Sequence, residues 1–134
     1  MDKIAILIFL FSIIYFFFYL VDPFKEKPRM RNSKKLVDNQ KFLSTNIFIS
    51  TLLFLVGLVK FQFGDKGAFV FSAMPLLFIA CCLLANLTVK KYYKKEFVLL
   101  LRFDGLKGHP IPEIIISILV LTIPLAIPII LLLV

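Results

Sequence analysis

Four long apolar runs, joined by polar connections, dominate the pattern of hydrophobic and polar positions along this chain. The runs cover residues 4–21, 42–59, 68–89 and 114–134, and none of them contains Asp, Glu, Lys or Arg. A helix of about 20 apolar residues is long enough to cross the roughly 30 Å of hydrocarbon in a bilayer. Because each run is apolar on every side of a helix, none has a face suited to water. The pattern predicts an all-α integral membrane bundle of four transmembrane helices.

The predicted spans leave no room for a second domain. We place them at about residues 4–21, 42–63, 68–89 and 113–134, within a single membrane domain of residues 1–134. The chain is 60% hydrophobic, and its longest polar connections are about 20 residues. The first run is longer than the apolar core of a secretory signal peptide and ends without a small-residue cleavage motif. We therefore expect it to be retained as the first span.

Lysine and arginine are unevenly distributed among the connections. Seven lie in the first connection and six in the third, but the N-terminal tail and the second connection together hold three, which are Lys3, Lys60 and Lys66. The positive-inside rule places the two basic loops in the cytoplasm and both termini in the periplasm. This topology and the attraction of lysines to anionic lipid account for the net charge of +8. The expected partner is the lipid bilayer of a bacterial inner membrane, and nucleic acid is not expected.

Residues suited to catalysis or metal binding are scarce. His109 is the one histidine, in a turn-forming segment, and a catalytic base there has only Asp104 or Glu113 as a nearby partner. Cys81 and Cys82 are adjacent on a helix, where neighbouring side chains point about 100° apart, and two sulfurs are too few for a metal site. We expect a protein that is not an enzyme and that has no metal and no cofactor.

The polar groups inside the spans are mostly hydroxyls. Those singled out are Ser12, Tyr15, Ser50, Thr51, Ser72, Asn86, Ser117 and Thr122. No ionisable carboxylate or amine lies at mid-membrane, which argues against a proton-driven transporter. An amide cannot bond back to its own helix as easily as a hydroxyl does. Asn86 is therefore the strongest candidate for a contact with another helix or a partner, and simple packing is the alternative.

Prolines interrupt the third and fourth spans. Pro75 removes a backbone donor and is expected to kink the third span. Pro124 and Pro128 are four residues apart, so they share one face of the last span. They leave backbone carbonyls without their usual amide partners, and Thr122 is expected to compensate. The face is either a structural kink or a functional groove.

The connections carry their own signals. The first, residues 22–41, contains Pro23 and Pro28 and is predicted to be extended or turn-rich, with the second helix starting within residues 39–44.

Gly64 and Gly67 bracket a tight turn, which predicts an outward-facing antiparallel hairpin of the second and third spans. Helical spacing can continue through residues 90–97. Pro112 and Glu113 suit the first turn of the last helix.

Several of these features together resemble the small inner-membrane immunity proteins of pore-forming colicins. The shared marks are Asp65-Lys66 before the proline-containing span, the Lys-Lys-Glu-Phe stretch at residues 94–97, and Leu-Ala-Ile-Pro at residues 125–128. The resemblance covers roughly the C-terminal half. It implies three spans with a periplasmic C-terminus, an orientation that loop charge predicts independently for the last three spans here. This chain differs in its additional N-terminal span and its long basic first loop.

The resemblance implies a binding function. Such a protein recognises the channel-forming domain of a toxin at the inner membrane of the producing cell, before the pore opens. The candidate partner-binding residues then lie in or beside the spans: Asn86, Lys94, Lys95, Glu96, Phe97, Pro124 and Pro128. Two other functions remain open from the residues alone. One is an accessory or structural subunit of a larger membrane complex, and the other is a small oligomeric transporter or channel.

Overall fold

The computed structural model describes residues 3–22, 31–64, 66–94 and 111–133. Its helices are α1 (Lys3–Ile14), which continues as a π-helical segment (Tyr15–Val21), α2 (Asn32–Asp38), α3 (Gln40–Gln62), α4 (Lys66–Ser72), α5 (Met74–Tyr93) and α6 (Ile111–Leu133). These residues contain no strand. Four helical stretches are long and apolar enough to cross a membrane: Lys3–Val21, Gln40–Gln62, Lys66–Tyr93 and Ile111–Leu133. The predicted all-α class and four spans are confirmed, with boundaries that agree within one or two helical turns.

The third span, α4 followed by α5, lies at the centre of the bundle. In its most apolar stretch of 18 residues, 50% of the residues are buried inside the bundle. The same share is 39% for the first span and 22% for each of α3 and α6. α4 packs against α1, α3 and α6, and α5 packs against α6, α3 and the π-helical segment. Edge-to-face pairs join the first span to the third, with Phe9 against Phe71 and Phe16 against Phe78. The other three spans are therefore arranged around this one.

The two ends of the bundle differ. At one end, which we call the α2 end, α2 packs against the π-helical segment, the start of α3 and α5. The opposite end, which we call the hairpin end, holds the turn between α3 and α4. The larger buried cluster includes Phe16, Leu36 and Val89. A smaller cluster of Ala5, Ile8, Leu53 and Ala68 joins α1, α3 and α4.

The hairpin of the second and third spans is confirmed, because α3 and α4 pack closely along their length, and its outward orientation stays a prediction. Gly64 has φ of +89°, a left-handed conformation that costs glycine little and other residues more. Backbone bonds from Phe63 N to Lys60 O (3.1 Å) and from Gly64 N to Phe61 O (3.0 Å) close the last turn of α3. Gly67, which was expected to end the turn, is instead buried within α4.

Small residues allow the two arms of the hairpin to approach closely. The buried residues of α3 are Asn46, Ser50, Leu53 and Gly57, which follow one another at helical spacing. A Cβ placed on Gly57 would lie 2.7 Å from Ser72 Cβ and 3.3 Å from Phe69 Cα. Real Cβ atoms do not approach a neighbouring carbon at 2.7 Å, so only glycine fits. Close packing of this kind is a main source of helix association in lipid, where the hydrophobic effect does not drive helices together.

Prolines act differently in the two spans that contain them. Pro75 lies in the first turn of α5, where its missing amide breaks no bond, and the helix is interrupted at Ala73 just before it. The third span is therefore divided at Ala73 into α4 and α5, and the predicted bend at this point stays a prediction. Pro124 and Pro128 lie inside α6, which remains one helix from Ile111 to Leu133.

The second half of the first span changes its helical register. The buried residues of α1 are Ala5, Ile8 and Ser12, at ordinary α spacing. In the π-helical segment the buried pairs are Tyr15 with Phe16 and Leu20 with Val21, which are five residues apart. A π-helix bonds residue i to i+5, so its wider turn brings both members of each pair to the core. The segment ends at Asp22, which is left-handed with φ of 53°.

The expected extended first connection is wrong for residues 32–38, which form helix α2. Leu36 of α2 is only 1% exposed and belongs to the larger buried cluster, so this short helix is held by packing against the bundle. The prediction failed because Pro23 and Pro28 lie upstream of the helix and do not interrupt it. The expected start of the second span is confirmed, since Asn39 caps α3 by accepting a bond from Phe42 N at 3.2 Å.

The orientation of the bundle is a prediction that labelling will test. Lys35 is exposed at the α2 end and Lys66 at the hairpin end. In a Cys81→Ala, Cys82→Ala background, we expect a membrane-impermeant maleimide to label Lys66→Cys in spheroplasts. Lys35→Cys should react only after the membrane is opened, because loop charge places the α2 end in the cytoplasm. Labelling of Lys35→Cys in intact spheroplasts would reverse the assignment.

Close packing of the hairpin gives a second prediction. Gly57→Ala should lower stability by about 1–3 kcal/mol, because α3 and α4 must separate to admit the methyl group. Thermal unfolding in detergent, followed by circular dichroism, measures this. Adding Ser72→Gly should recover part of the loss, and Val59→Ile, on a side chain that is 53% exposed, serves as the control. An unchanged midpoint for Gly57→Ala would contradict the close contact.

Candidate functional site

The candidate residues from the sequence do not form one continuous surface. Asn86 is buried in α5, Pro124 and Pro128 are buried in α6, and Lys94 is exposed at the end of α5. The other three, Lys95, Glu96 and Phe97, lie outside the described residues.

Asn86 faces the interior of the bundle. Its side chain is 9% exposed, and it belongs to the buried stripe of α5 that also contains Cys82, Ala85 and Val89. An amide at this position is directed toward other helices of this chain and away from surrounding lipid. This placement fits a contact with another helix, or packing within the bundle, better than a contact with an outside partner.

The proline face of α6 is also turned inward. Pro124 and Pro128 continue a buried stripe with Ser117 and Val120, and α6 packs chiefly against α5. The prolines therefore lie in a helix–helix contact in this conformation. Thr122, which was expected to compensate the freed carbonyls, lies on the exposed side of α6 and away from this stripe. It is poorly placed for that role.

Lys94 ends the helix that carries Asn86. It has φ of 54°, a left-handed conformation, and its N–H donates to Lys90 O at 3.2 Å. Helical spacing can continue to residue 97 in the sequence, but α5 ends at Tyr93, and residues 95–97 lie outside the described residues. The Lys94 side chain is exposed at the α2 end, together with Lys90 and Lys91. Three cations at the C-terminus of a helix interact favourably with its dipole.

The most distinctive polar feature of the spans is a buried hydrogen-bonded group that sequence reasoning missed. The Tyr15 hydroxyl donates to Asn46 Oδ1, and Asn46 Nδ2 donates to Phe42 O at 2.8 Å. Asn46 is 1% exposed and Tyr15 is 8% exposed. Ser50, one turn along α3 from Asn46, is fully buried on the same face of the helix. The bond between Tyr15 and Asn46 links the first span to the second.

An aromatic stack continues from this group toward the α2 end. Tyr15 is stacked with Phe11 at a centroid distance of 5.9 Å and with Tyr19 at 5.4 Å. Tyr19 is stacked in turn with Phe42 of α3 at 6.1 Å. Pairs of this kind contribute about 0.5–1.5 kcal/mol beyond their buried area. The first span is thus joined to α3 by both stacking and hydrogen bonding.

Polar bonds tie α2 to the end of the first span. Asp22 accepts from Asn32 N at 3.3 Å, and Asn32 Nδ2 donates to Tyr19 O at 2.9 Å. Within α2, Lys34 Nζ lies 2.7 Å from Asp38 Oδ1. Arg31, immediately before the helix, is fully buried. These bonds hold a charged segment against the bundle at one end.

The sequence contained a signal for Asn46 that was overlooked. Asn46, Ser50 and Gly57 are polar or small, and they recur on one face of an otherwise apolar helix. Such a stripe commonly marks a helix–helix contact in membranes.

No group of three His, Cys, Asp or Glu side chains suited to a metal occurs in the part of the chain that the structure describes. The arrangement is suited to packing and recognition between helices.

The contact between Tyr15 and Asn46 gives a third prediction. Tyr15→Phe and Asn46→Leu should each destabilise the bundle, with a coupling of roughly 0.6 kcal/mol and at most about 1.7 kcal/mol for a hydrogen bond in a membrane. A double-mutant cycle of unfolding free energies in detergent measures the coupling. Tyr92→Phe, which removes a hydroxyl from a side chain that is 68% exposed, is the control. A coupling of zero would mean that the bond does not stabilise the fold.

No protein-family model, no curated protein and no solved structure matches this chain.

Proposed function

We propose that this chain is an inner-membrane immunity protein of a bacterium that produces a pore-forming toxin. In this proposal it binds the channel-forming domain of the toxin within the bilayer and prevents the pore from opening. The function is recognition and involves no catalysis. The proposal rests on the resemblance of the C-terminal half to colicin immunity proteins and on one structural observation.

The structural observation is that α3 and α6 leave most of their surface outside the bundle. In the most apolar 18 residues of each helix, only 22% are buried inside the bundle. Large apolar side chains project outward from both helices, including Phe48 and Leu52 on α3 and Ile118 and Leu119 on α6. A toxin helix that enters the bilayer can replace lipid on such a face by packing. Helices associate in lipid through this kind of packing together with a few polar contacts.

This placement changes which residues we propose to contact the toxin. Asn86, Pro124 and Pro128 are buried in the bundle, so we assign them to maintaining its shape. Toward the middle of the outer helices, the exposed polar groups include Thr51 of α3 and Thr122 of α6. Each offers a hydroxyl to an arriving helix. Lys94, exposed at the end of α5, is the one described residue of the original set that remains accessible.

The same exposed faces suit a second function. An accessory or structural subunit would pack α3 or α6 against permanent partners of a larger membrane complex. The two functions differ in what covers these faces in the resting cell: lipid for an immunity protein, and other subunits for an accessory protein.

A protection assay tests the proposal. Sensitive cells that express the wild-type chain are challenged with a panel of pore-forming toxins, and we expect at least tenfold protection against one of them. Leu52→Ala on α3 or Leu119→Ala on α6 should then reduce protection, because each removes part of an exposed face. Leu10→Ala on α1 is the matched control, since Leu10 and Leu52 are both 47% exposed.

Two results would count against this proposal. The first is an absence of protection against every toxin although the wild-type chain is present in the membrane, which would leave the accessory-subunit function. The second is an equal loss of protection for Leu10→Ala, Leu52→Ala and Leu119→Ala, which would mean that recognition does not depend on α3 and α6.

A further inference from the structure

The α2 end carries a group of exposed lysines from three different helices. They are Lys35 of α2, Lys41 of α3, and Lys90, Lys91 and Lys94 at the end of α5, and all five are exposed. We call this group the lysine face. Two other cations at this end, Arg31 and Lys34, are buried and belong to the support of α2.

Packing of α2 brings the lysine face together. α2 packs against both α3 and α5, and α3 packs against α5, so the three helix ends meet at one corner of the bundle. Leu36 and Val89 belong to the same buried cluster, and each directly adjoins a lysine of the face, Lys35 and Lys90. The Lys35 ammonium lies 5.9 Å from the centroid of the Phe42 ring, which directs it toward the start of α3 and Lys41.

The carboxylates at this end that the structure describes are held in other contacts or favoured by a helix dipole. Asp22 is buried and accepts from Asn32 N, and Asp38 is paired with Lys34. Glu113 is in the first turn of α6, where the positive end of the helix dipole favours it. The ion pair between Lys34 and Asp38 includes no lysine of the lysine face. The exposed charge of the described residues at this end is therefore positive, and an anion can approach it.

The surroundings of the lysine face are those of a lipid headgroup layer. Tyr19, Tyr92 and Tyr93 are exposed close to the same end, as is typical of aromatic residues at a membrane interface. A shallow, open surface on the first turns of α3 includes Lys41, Gln40, Ser44 and Thr45. The Thr45 hydroxyl donates to Lys41 O at 2.9 Å, so Gln40 and Ser44 are the side chains beside Lys41 that can donate to a phosphate. Lysines at such a position extend toward the headgroups while their stems remain beside apolar surface.

We infer that the lysine face binds the phosphate headgroup of an anionic phospholipid, held between α2, the start of α3 and the end of α5. The ammonium groups supply the charge, and the polar groups beside Lys41 supply hydrogen bonds. An acidic protein segment offers the same charge, but lipid phosphate is present at this depth in every membrane and aligns with the exposed tyrosines. The inference is independent of the proposed immunity function.

Stabilisation by lipid tests the inference. The full chain in a mild non-ionic detergent is titrated with dioleoyl phosphatidylglycerol, dioleoyl phosphatidylcholine or inorganic phosphate, and unfolding is followed by circular dichroism. We expect phosphatidylglycerol to raise the unfolding midpoint at a lower mole fraction than phosphatidylcholine. Inorganic phosphate alone should have little effect, and raising the salt from 0.1 M to 0.5 M should weaken the difference because ions screen the charges.

Matched variants separate a site from general charge. Lys35→Gln with Lys90→Gln removes two charges from the lysine face, and Lys3→Gln with Lys66→Gln removes two from the hairpin end. We expect the first pair to need about thirtyfold more phosphatidylglycerol for the same stabilisation, since each surface lysine contributes about 1 kcal/mol to anionic-lipid binding and about 1.4 kcal/mol corresponds to a factor of ten. The second pair should behave like wild type. Lys35→Arg with Lys90→Arg keeps the charge and should retain the effect.

Three results would overturn the inference. Equal stabilisation of the wild-type chain by the two lipids would remove the need for an anionic headgroup. Equal impairment of the two glutamine pairs would reduce the effect to net charge. Indifference to phosphatidylglycerol combined with loss of toxin protection in Lys35→Gln, Lys90→Gln cells would assign the lysines to protein recognition.

Discussion

Hydrocarbon offers no hydrogen-bond partner, and this constraint governs where each polar group of the protein lies. Backbone groups satisfy one another along the helices, which is why the spans are α-helical. Many polar side chains of the spans turn inward or bond to their own helix. Tyr15 and Asn46 bond to each other between helices, whereas Ser12 and Thr88 donate to the carbonyls of Ile8 and Leu84 one turn earlier. The bond between Tyr15 and Asn46 joins two spans. A hydroxyl that bonds to its own helix can instead face lipid, as that of Thr88 does.

Helices surrounded by lipid need another source of affinity, because burying apolar surface against a neighbour gains little when lipid is equally apolar. In this bundle the source is close approach. Gly57 admits Ser72 to the surface of α3, and Ala5 and Ala68 occupy the smaller cluster at the hairpin end. The third span takes the central position and interacts with all the others, so α3 and α6 remain largely exposed to lipid or to a partner.

The sequence predicted the spans well and their contacts poorly. Long apolar runs are sufficient to identify α1, α3, α5 and α6, and Gly64 identified the hairpin. Those same runs say little about which side of a helix faces inward, because α6 is apolar on nearly every side and its proline face gave no sign of being buried against α5. Helix α2 was missed because its sequence is polar and its stability depends on tertiary packing of Leu36. Asn46 was overlooked although its spacing from Ser50 and Gly57 carried a usable signal.

A single residue, Asn39, separates α2 from α3, and it belongs structurally to both. Its N–H donates to Lys35 O at 2.9 Å and completes α2, while its side chain accepts from Phe42 N and begins α3. These two bonds fix the position of α2 relative to the start of α3. A shift or tilt of the α3–α4 hairpin across the bilayer must therefore either move α2 as well or break one of the bonds, so a movement at the hairpin end reaches the opposite surface of the membrane.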